Sequence, residues 1–135
     1  MKKILVGTDT TASADLAVKA AAELARESGA ELLVVHVRSG GAAHDAADPK
    51  KSADPERYLS TMSERFPEIA IRSWSEPGDP AERLVEAAEK ERVDTIVLGN
   101  RGTRGSWWRV RDSVPNLVLR HAPCSVYIVD TRMAQ

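Results

Sequence analysis

The chain has 135 residues, a formal net charge of −1, three histidines and a single cysteine. This length suits one domain that buries about two-thirds of the surface exposed by its unfolded chain. The near-neutral charge gives no overall electrostatic reason to expect nucleic-acid binding, and one cysteine excludes both an internal disulfide and a cysteine pair for a metal.

The amino terminus and the hydropathy pattern set an expectation for location. Met1–Lys3 is followed by only a short apolar run before Thr8, and a secretory signal needs a longer one. No apolar stretch approaches the length of a membrane span. We therefore expect a cytoplasmic protein that makes no membrane contact.

Apolar runs and helical periodicities alternate along the chain, starting with the strand-like run Ile4–Val6. The helical pattern that follows can be capped by Thr11 or Ser13, and Gly29 stands where a left-handed glycine would end the helix. The further predicted elements, in chain order, are a strand at 32–37, a short helix at 55–65, a strand beginning at 69–71, a helix from Pro80 capped by Asp79, a strand at 95–98, a helix at 113–120 and a strand at 125–129.

Residues 39–55 interrupt this alternation. The segment SGGAAHDAADPKKSADP is rich in Gly, Ala, Asp and Pro, and it has little apolar surface to bury. We expect a flexible linker here, inside a single domain that spans residues 1–135.

Alternating strands and helices predict an α/β fold in which helices cover both faces of a parallel sheet, a three-layer sandwich with five strands. In such sheets, ligands bind beyond the carboxyl ends of the strands, near the point where the strand order reverses. Two loops, 7–11 and 99–112, follow strands at that edge, so we expect the binding site there.

The loop after the fourth predicted strand has the composition of an anion-binding site. Gly99, Gly102 and Gly105 recur at three-residue spacing, and the chain then enters a helix through Asp112 and Ser113. Glycines let backbone N–H groups approach a phosphate, and a helix N-terminus supplies further donors. The loop and the helix together hold five arginines and one aspartate, so this region is basic. The predicted anion contacts within the loop are Arg104, Gly105, Ser106, Arg109 and Arg111.

Other chemistry-bearing residues have simpler explanations. His36 lies in a strand of buried type and is expected to be a hydrogen-bonded core histidine, and Cys124 is expected to be a small buried residue. The three histidines lack the spacing of metal ligands, and neither a G-x-S-x-G elbow nor a Walker A motif is present. We therefore predict no catalytic residue and no metal site. Trp107 and Trp108 either pack on the core and the sheet edge or form a surface for a partner or a stacked base.

Four segments carry a resemblance to a known family: ILVGTDTTASADLAVKAAAELA (4–25), ELLVVHV (31–37), GDPAERLVEAAEKERVDTIVLGNRG (78–102) and SVPNLVLRHAPCSVYIVD (113–130). In this order they resemble the universal stress protein family along essentially the whole chain. The resemblance implies a Rossmann-like, five-stranded parallel sheet of the adenine nucleotide alpha hydrolase type. It also implies a homodimer formed through the last strand, Ser125–Val129, and a role in stress response that depends on contacts with a protein partner.

Part of that family binds ATP through the pattern Gly, two residues, Gly, nine residues and then Gly-Ser or Gly-Thr. Gly99 and Gly102 match the first two positions. Ser113 matches the hydroxyl position, whereas Asp112 replaces the third glycine. The chain therefore keeps the spacing of the pattern and departs from it at one position.

The resemblance also assigns roles to single residues. Asp9 would contact the nucleotide near its adenosine, Val37 would line the adenine pocket, and Val114 would offer backbone beside the phosphates. The predicted ligand is ATP, with Mg²⁺ as its companion ion. The predicted nucleotide-binding residues are Thr8, Asp9, Val37, Gly99, Arg101, Gly102, Ser113 and Val114.

Asp112 leaves the function open between two interpretations. As a helix N-cap, its carboxylate would bond to the N–H donors that a phosphate needs. Its charge would repel a phosphate by about 4 kcal/mol at roughly 4 Å and an effective dielectric of about 20, while each arginine contact offers about 1.5–3 kcal/mol. The first interpretation is an ATP-binding stress protein with at most slow ATPase activity. The second is an interaction module of the same fold that binds no nucleotide, because Asp112 has degraded the site.

A third interpretation is an enzyme of a related fold that uses ATP to activate a substrate. Such enzymes carry an SGGxDS-type phosphate loop after the first strand. The residues Gly7-Thr8-Asp9-Thr10-Thr11 do not supply that loop, so this interpretation ranks last.

Overall fold

The computed structural model describes residues 1–38, 54–100 and 113–131. Within these ranges, none of the helices combines the length and the apolar character that crossing a membrane requires. In chain order, the elements are β1 (Lys3–Thr8), α1 (Ala12–Ser28), β2 (Glu31–Arg38), α2 (Pro55–Ser60), α3 (Met62–Arg65), β3 (Ile71–Pro77), α4 (Pro80–Glu91), β4 (Thr95–Gly99), α5 (Val114–His121) and β5 (Ser125–Val129).

The strands form a parallel sheet in the order β3-β2-β1-β4-β5. Leu5 at the centre of β1 pairs with Leu33 of β2 on one side and with Ile96 of β4 on the other. After β1, the chain forms β2 and then β3 on one side of that strand. It then forms β4 and β5 on the other side. The strand order therefore reverses between β1 and β4.

Helices cover both faces of the sheet, and each face has its own apolar cluster. On one face, Val6 and Val34 pack in a cluster with residues of α1, α2 and α3. On the other face, Leu5 and Leu33 pack in a cluster with residues of α4 and α5. Strands β1, β2 and β4 are largely buried on both sides, which explains their continuous apolar runs. The predicted three-layer α/β fold is confirmed.

The helix ends follow the predicted capping signals. Thr11, not Ser13, caps α1, since its side chain accepts a hydrogen bond from the Ala14 N–H at 3.1 Å. Gly29 ends the same helix in the left-handed conformation with φ of 73°. Asp79 caps α4 by accepting from the Glu82 N–H. These local signals are therefore confirmed where the structure describes them.

The region between β2 and β3 departs from the prediction in two ways. Asp54 and Pro55, which were expected at the end of the flexible linker, form the N-cap and the first turn of α2; the rest of that linker, 39–53, lies outside the described residues. The single helix expected over 55–65 is two short helices, because the Thr61 hydroxyl bonds to the Tyr58 carbonyl at 2.7 Å and competes with helical hydrogen bonding. Strand β3 begins at Ile71, at the end of the predicted starting segment.

Candidate functional site

The candidate site lies at the carboxyl edge of the sheet, where β1 and β4 end side by side. β1 ends at Thr8 and β4 at Gly99, and the pairing of Val6 with Val97 makes these two ends neighbours. β2 pairs with the other side of β1 and brings Val37 to the same edge. This edge is also where the strand order reverses, which is the usual position of a ligand in an open parallel sheet.

The structure brings four described members of the predicted binding set, Thr8, Asp9, Val37 and Gly99, to this edge. Thr8 and Asp9 follow β1, and Gly99 ends β4. Val37 and Val114 pack against the same apolar cluster, on the face covered by α4 and α5. The predicted loop residues outside the described ranges, whose roles stay predictions, are Arg101, Gly102, Arg104, Gly105, Ser106, Trp107, Trp108, Arg109, Arg111 and Asp112.

The turn between β1 and α1 holds the Asp9 carboxylate in a defined orientation. Its Oδ1 accepts two hydrogen bonds from Thr11, one from the backbone N–H at 3.0 Å and one from the hydroxyl at 2.5 Å. The Thr11 hydroxyl oxygen in turn accepts from the Ala14 N–H at the start of α1. Asp9 is therefore fixed to the helix N-terminus through Thr11.

The same turn contains a backbone conformation that a threonine rarely adopts. Thr10 has a φ of 68°, in the left-handed region that β-branched residues avoid. Its N–H donates to the Thr8 hydroxyl at 3.0 Å, and both side chains are buried. Such a conformation costs on the order of 1–3 kcal/mol, and strained residues of this kind cluster at ligand sites. The strained turn thus lies next to the strand reversal, where a ligand is expected.

Two glycines at this edge are required by packing. A Cβ atom on Gly7 would lie 2.8 Å from Cδ1 of Leu84, so its absence lets α4 approach the end of β1. A Cβ atom on Gly99 would lie 2.8 Å from Cγ2 of Thr131, and 3.7 Å from Cβ of Ala17. The glycine at position 99 therefore has a structural explanation that involves no ligand.

Hydrogen bonds that were not predicted from the sequence connect the end of β4 to the chain after β5. The Asn100 side-chain oxygen accepts hydrogen bonds from the Thr131 N–H at 3.0 Å and from the Thr131 hydroxyl at 3.2 Å. The Asn100 N–H donates to the Val129 carbonyl. An asparagine directly after a buried strand was the available signal, but its partner is 31 positions away in the sequence.

The start of α5 is capped one position later than predicted. Ser113 is the N-cap, since its hydroxyl oxygen accepts from the Asn116 N–H at 3.3 Å, whereas the predicted cap, Asp112, lies outside the described residues. Pro115 has no N–H, and the Leu117 N–H bonds to the Ser113 carbonyl. Among the described residues, the Val114 N–H is the first-turn donor that the helix itself leaves available.

A second unpredicted feature is a polar network beside the β1–α1 turn. Asp15, in the first turn of α1, accepts two parallel hydrogen bonds from the Arg65 guanidinium, both at 2.8 Å. The Tyr58 hydroxyl donates to the same carboxylate at 2.5 Å. The network therefore links helices α2 and α3 to the first turn of α1.

Ionisation within this network follows from burial and hydrogen bonding. Burial alone would raise the pKa of Asp15, but the hydrogen bonds from Arg65 and Tyr58 outweigh it and lower that pKa. Burial, followed by the hydrogen bond to Asp15, raises the pKa of Tyr58 from 10.0 to about 12. At neutral pH the network thus holds a charged carboxylate, a charged guanidinium and a neutral phenol.

His36 behaves as the sequence predicts. Its side chain is 2% exposed, and its Nδ1 lies 2.8 Å from the Ser75 hydroxyl, which also accepts from the Arg38 guanidinium. Cys124, expected to be buried, is only half-buried, and this partial burial raises the pKa of its thiol. In the ranges that the structure covers, no group of three His, Cys, Asp or Glu side chains is arranged to hold a metal ion.

Comparisons with known proteins agree with one another. The model of the universal stress protein family matches residues 1–130. A universal stress protein of Mycobacterium tuberculosis strain H37Rv is 30% identical over 144 residues, which cover 96% of this chain and 97% of that protein. A universal stress protein of Methanothermobacter thermautotrophicus is 37% identical over 65 residues, which cover 48% of this chain and only 44% of that relative.

The structural comparison includes a protein with a ligand. A crystal structure of a universal stress protein in complex with cAMP matches with a TM-score of 0.79 and 27% sequence identity. The match covers 96% of this chain and 97% of that one. The two chains therefore share the fold over nearly their full lengths.

Proposed function

The chain belongs to the universal stress protein family, and we propose that its carboxyl-edge site binds an adenine nucleotide, with ATP as the ligand that the loop pattern favours. The observation that carries this proposal is the strained Thr8–Thr11 turn, which orients Asp9 beside the strand reversal. The similar protein that was crystallised with cAMP supports the same ligand class.

Each described residue has a chemical task in this proposal. A carboxylate is an acceptor, so Asp9 would take hydrogen bonds from ribose hydroxyls. Val37 offers an apolar wall to the base, in keeping with its packing against the cluster on the α4–α5 face. Ser113 can still donate its hydroxyl proton, and Val114 its N–H, to phosphate oxygens. Mg²⁺ would accompany a polyphosphate ligand.

We propose binding without efficient turnover. Catalytic hydrolysis needs a base that is placed to activate a water molecule. The Asp9 carboxylate is held by Thr11, and the buried His36 ring is held by Ser75. Both groups are engaged by these contacts, so we expect ATP hydrolysis to be slow at most.

One edge of the described sheet suggests how the protein would assemble. β5 is the last strand in the sheet order, and the Tyr127 side chain on it is 47% exposed. An edge strand can present backbone donors and acceptors to another chain. We propose a homodimer in which Ser125–Val129 meets a second copy, and a cytoplasmic stress response that acts through a protein partner.

Calorimetric titration with ATP, AMP and cAMP tests nucleotide binding. Asp9→Asn keeps an oxygen for the two Thr11 hydrogen bonds but removes the charge, so we expect about tenfold weaker binding. The matched control is Asp54→Asn, which changes the same chemistry at the N-cap of α2 and should leave binding unchanged.

The alternative is an interaction module without a nucleotide. It is favoured by the packing explanation for Gly99, which requires no phosphate. Protein purified from cells would be denatured and its supernatant analysed for nucleotide. Absence of nucleotide, together with absence of heat below millimolar ATP, would contradict the binding proposal and leave the interaction module.

A further inference from the structure

An acidic side chain stands beside the wall assigned to the base. In the pairing of β2 with β3, Val37 lies opposite Glu76. Paired residues of neighbouring parallel strands point to the same face, about 4.8 Å apart. Trp74, two residues before Glu76 on β3, packs with Val37 against the apolar cluster on the α4–α5 face. Glu76 therefore shares its face and its edge with Val37.

One hydrogen bond orients the Glu76 carboxylate and leaves its second oxygen as an acceptor for a ligand. The indole N–H of Trp74 donates to its Oε2 at 2.5 Å. The described chain gives its other oxygen, Oε1, no hydrogen-bond partner and no ion pair. Two arginines at this end of the fold donate to other groups, Arg38 to Ser75 and Arg83 through Nη1 to Glu86, while the buried Nε of Arg83 has no hydrogen-bond partner among the described residues. Trp74 thus fixes a charged acceptor next to the base wall.

A fixed carboxylate distinguishes purines by the group at position 6 of the ring. It accepts a hydrogen bond from an exocyclic amino group, as Glu and Asp do when they contact the cytosine amine. It repels a carbonyl oxygen at the same place, since both groups are acceptors. A site that hydrogen-bonds a donor rejects the analogue that lacks it more strongly than shape alone allows.

From this geometry we infer that Glu76 selects a 6-amino purine over a 6-oxo purine, with Trp74 as the residue that positions it. The inference rests on the proposed function, because it needs a purine against Val37. It goes beyond that function by naming the residue that determines base specificity.

AMP and IMP test the inference, since they carry the same ribose phosphate and differ at position 6 of the base, together with the proton that the 6-oxo form carries on N1. Both dissociation constants would be measured by calorimetry on the full chain. We expect AMP to bind about tenfold more tightly than IMP. This factor corresponds to the lower end of the free-energy range for a charge-assisted hydrogen bond, because the site is half-exposed. Glu76→Gln should bring the ratio to one or below, because the indole N–H of Trp74 keeps the amide oxygen and the N–H₂ group then faces the base. Trp74→Phe should reduce the ratio in part, because it removes only the orienting donor.

The matched control is Glu82→Gln, which removes the same charge from an exposed side chain in the first turn of α4. In either variant, loss of a negative charge should strengthen the binding of AMP and IMP alike. The ratio of the two dissociation constants should change only if the lost carboxylate contacts the base. An unchanged ratio in Glu76→Gln, with AMP still bound, would overturn the role of Glu76 and leave the proposed function intact. Failure of the unaltered protein to bind AMP would overturn both.

Discussion

The Tyr58 hydroxyl connects α2 to the Asp15–Arg65 pair at the start of α1, so its removal measures what this hydrogen bond contributes to the polar network. Tyr58→Phe deletes the hydrogen bond to Asp15 but leaves the ring in its apolar cluster. Asp15 keeps both bonds from Arg65, so no carboxylate loses all its partners. We expect the free energy of unfolding at pH 7 to fall by about 1–2 kcal/mol and Tm to fall by roughly 3–8 °C.

The same residue predicts how stability changes at alkaline pH. The pKa of Tyr58 is raised from 10.0 to about 12 in the folded protein, first by burial and then by the hydrogen bond to Asp15. The unfolded chain therefore loses this proton first as the pH rises. The stabilisation by the neutral phenol is complete below pH 10, and it is lost between pH 10 and about 12. Tyr58→Phe should lack this part of the alkaline loss.

Urea denaturation across neutral and alkaline pH tests both statements. The chain has two tyrosines, so Tyr127→Phe is a matched control at an exposed position, and it should cost little at pH 7. In that control protein, phenolate absorbance reports Tyr58 alone and should show a midpoint near 12. The reasoning is wrong if the two variants lose stability equally, or if the alkaline decline of Tyr58→Phe matches that of the unaltered protein.

Three further perturbations test other parts of the edge and of the sheet. Gly99→Ala should lower the free energy of unfolding by about 1–3 kcal/mol through overpacking. The double variant with Thr131→Ser should recover part of that loss in urea denaturation, because it lacks the methyl group that would lie 2.8 Å from the new Cβ. Ser113→Ala removes the N-cap of α5 and should lower the free energy of unfolding by about 0.5–2 kcal/mol. Asp112→Gly should change that free energy little and should tighten ATP binding in calorimetry. Equal losses of stability in the two variants would show that the cap is assigned to the wrong residue. The pKa of Asp94 is lowered, first by hydrogen bonds from two backbone N–H groups at the start of β1, so its stabilisation is present above the unfolded pKa of 3.8 and is lost as the pH falls through the lower folded value. Asp94→Asn should reduce this loss of stability at low pH. If the unaltered protein and the variant lose the same stability as the pH falls, the prediction is contradicted.

The fold was predictable because its signals are local and they agree with one another. Apolar runs mark the buried strands, and Thr11, Gly29 and Asp79 each act within four residues of their own position. The order of strands and helices then allows few topologies, since parallel crossovers are right-handed. The site followed from the same logic, because strand ends share one edge of a parallel sheet.

The contacts that set the geometry of the site were not predictable, because their partners are distant in the sequence. Tyr58 and Asp15 are 43 positions apart, and Asn100 and Thr131 are 31 apart. The left-handed conformation of Thr10 has no sequence signal either, since a β-branched residue argues against it. This conformation occurs at a buried side chain, against the local preference.

The Ser113 cap changes what we expect of Asp112 in nucleotide binding. Two obstacles were expected of Asp112, competition for the helix N–H donors and repulsion of a phosphate. Ser113 occupies the Asn116 N–H and stands at the hydroxyl position of the ATP pattern, so one occupied donor is compatible with that pattern. We therefore expect charge to be the main obstacle that Asp112 presents. Charge repulsion between solvated groups weakens with ionic strength, whereas an occupied N–H donor does not become available in salt. The salt dependence of ATP affinity, compared between the unaltered protein and Asp112→Gly, thus separates a site weakened by charge from one that has lost its donors.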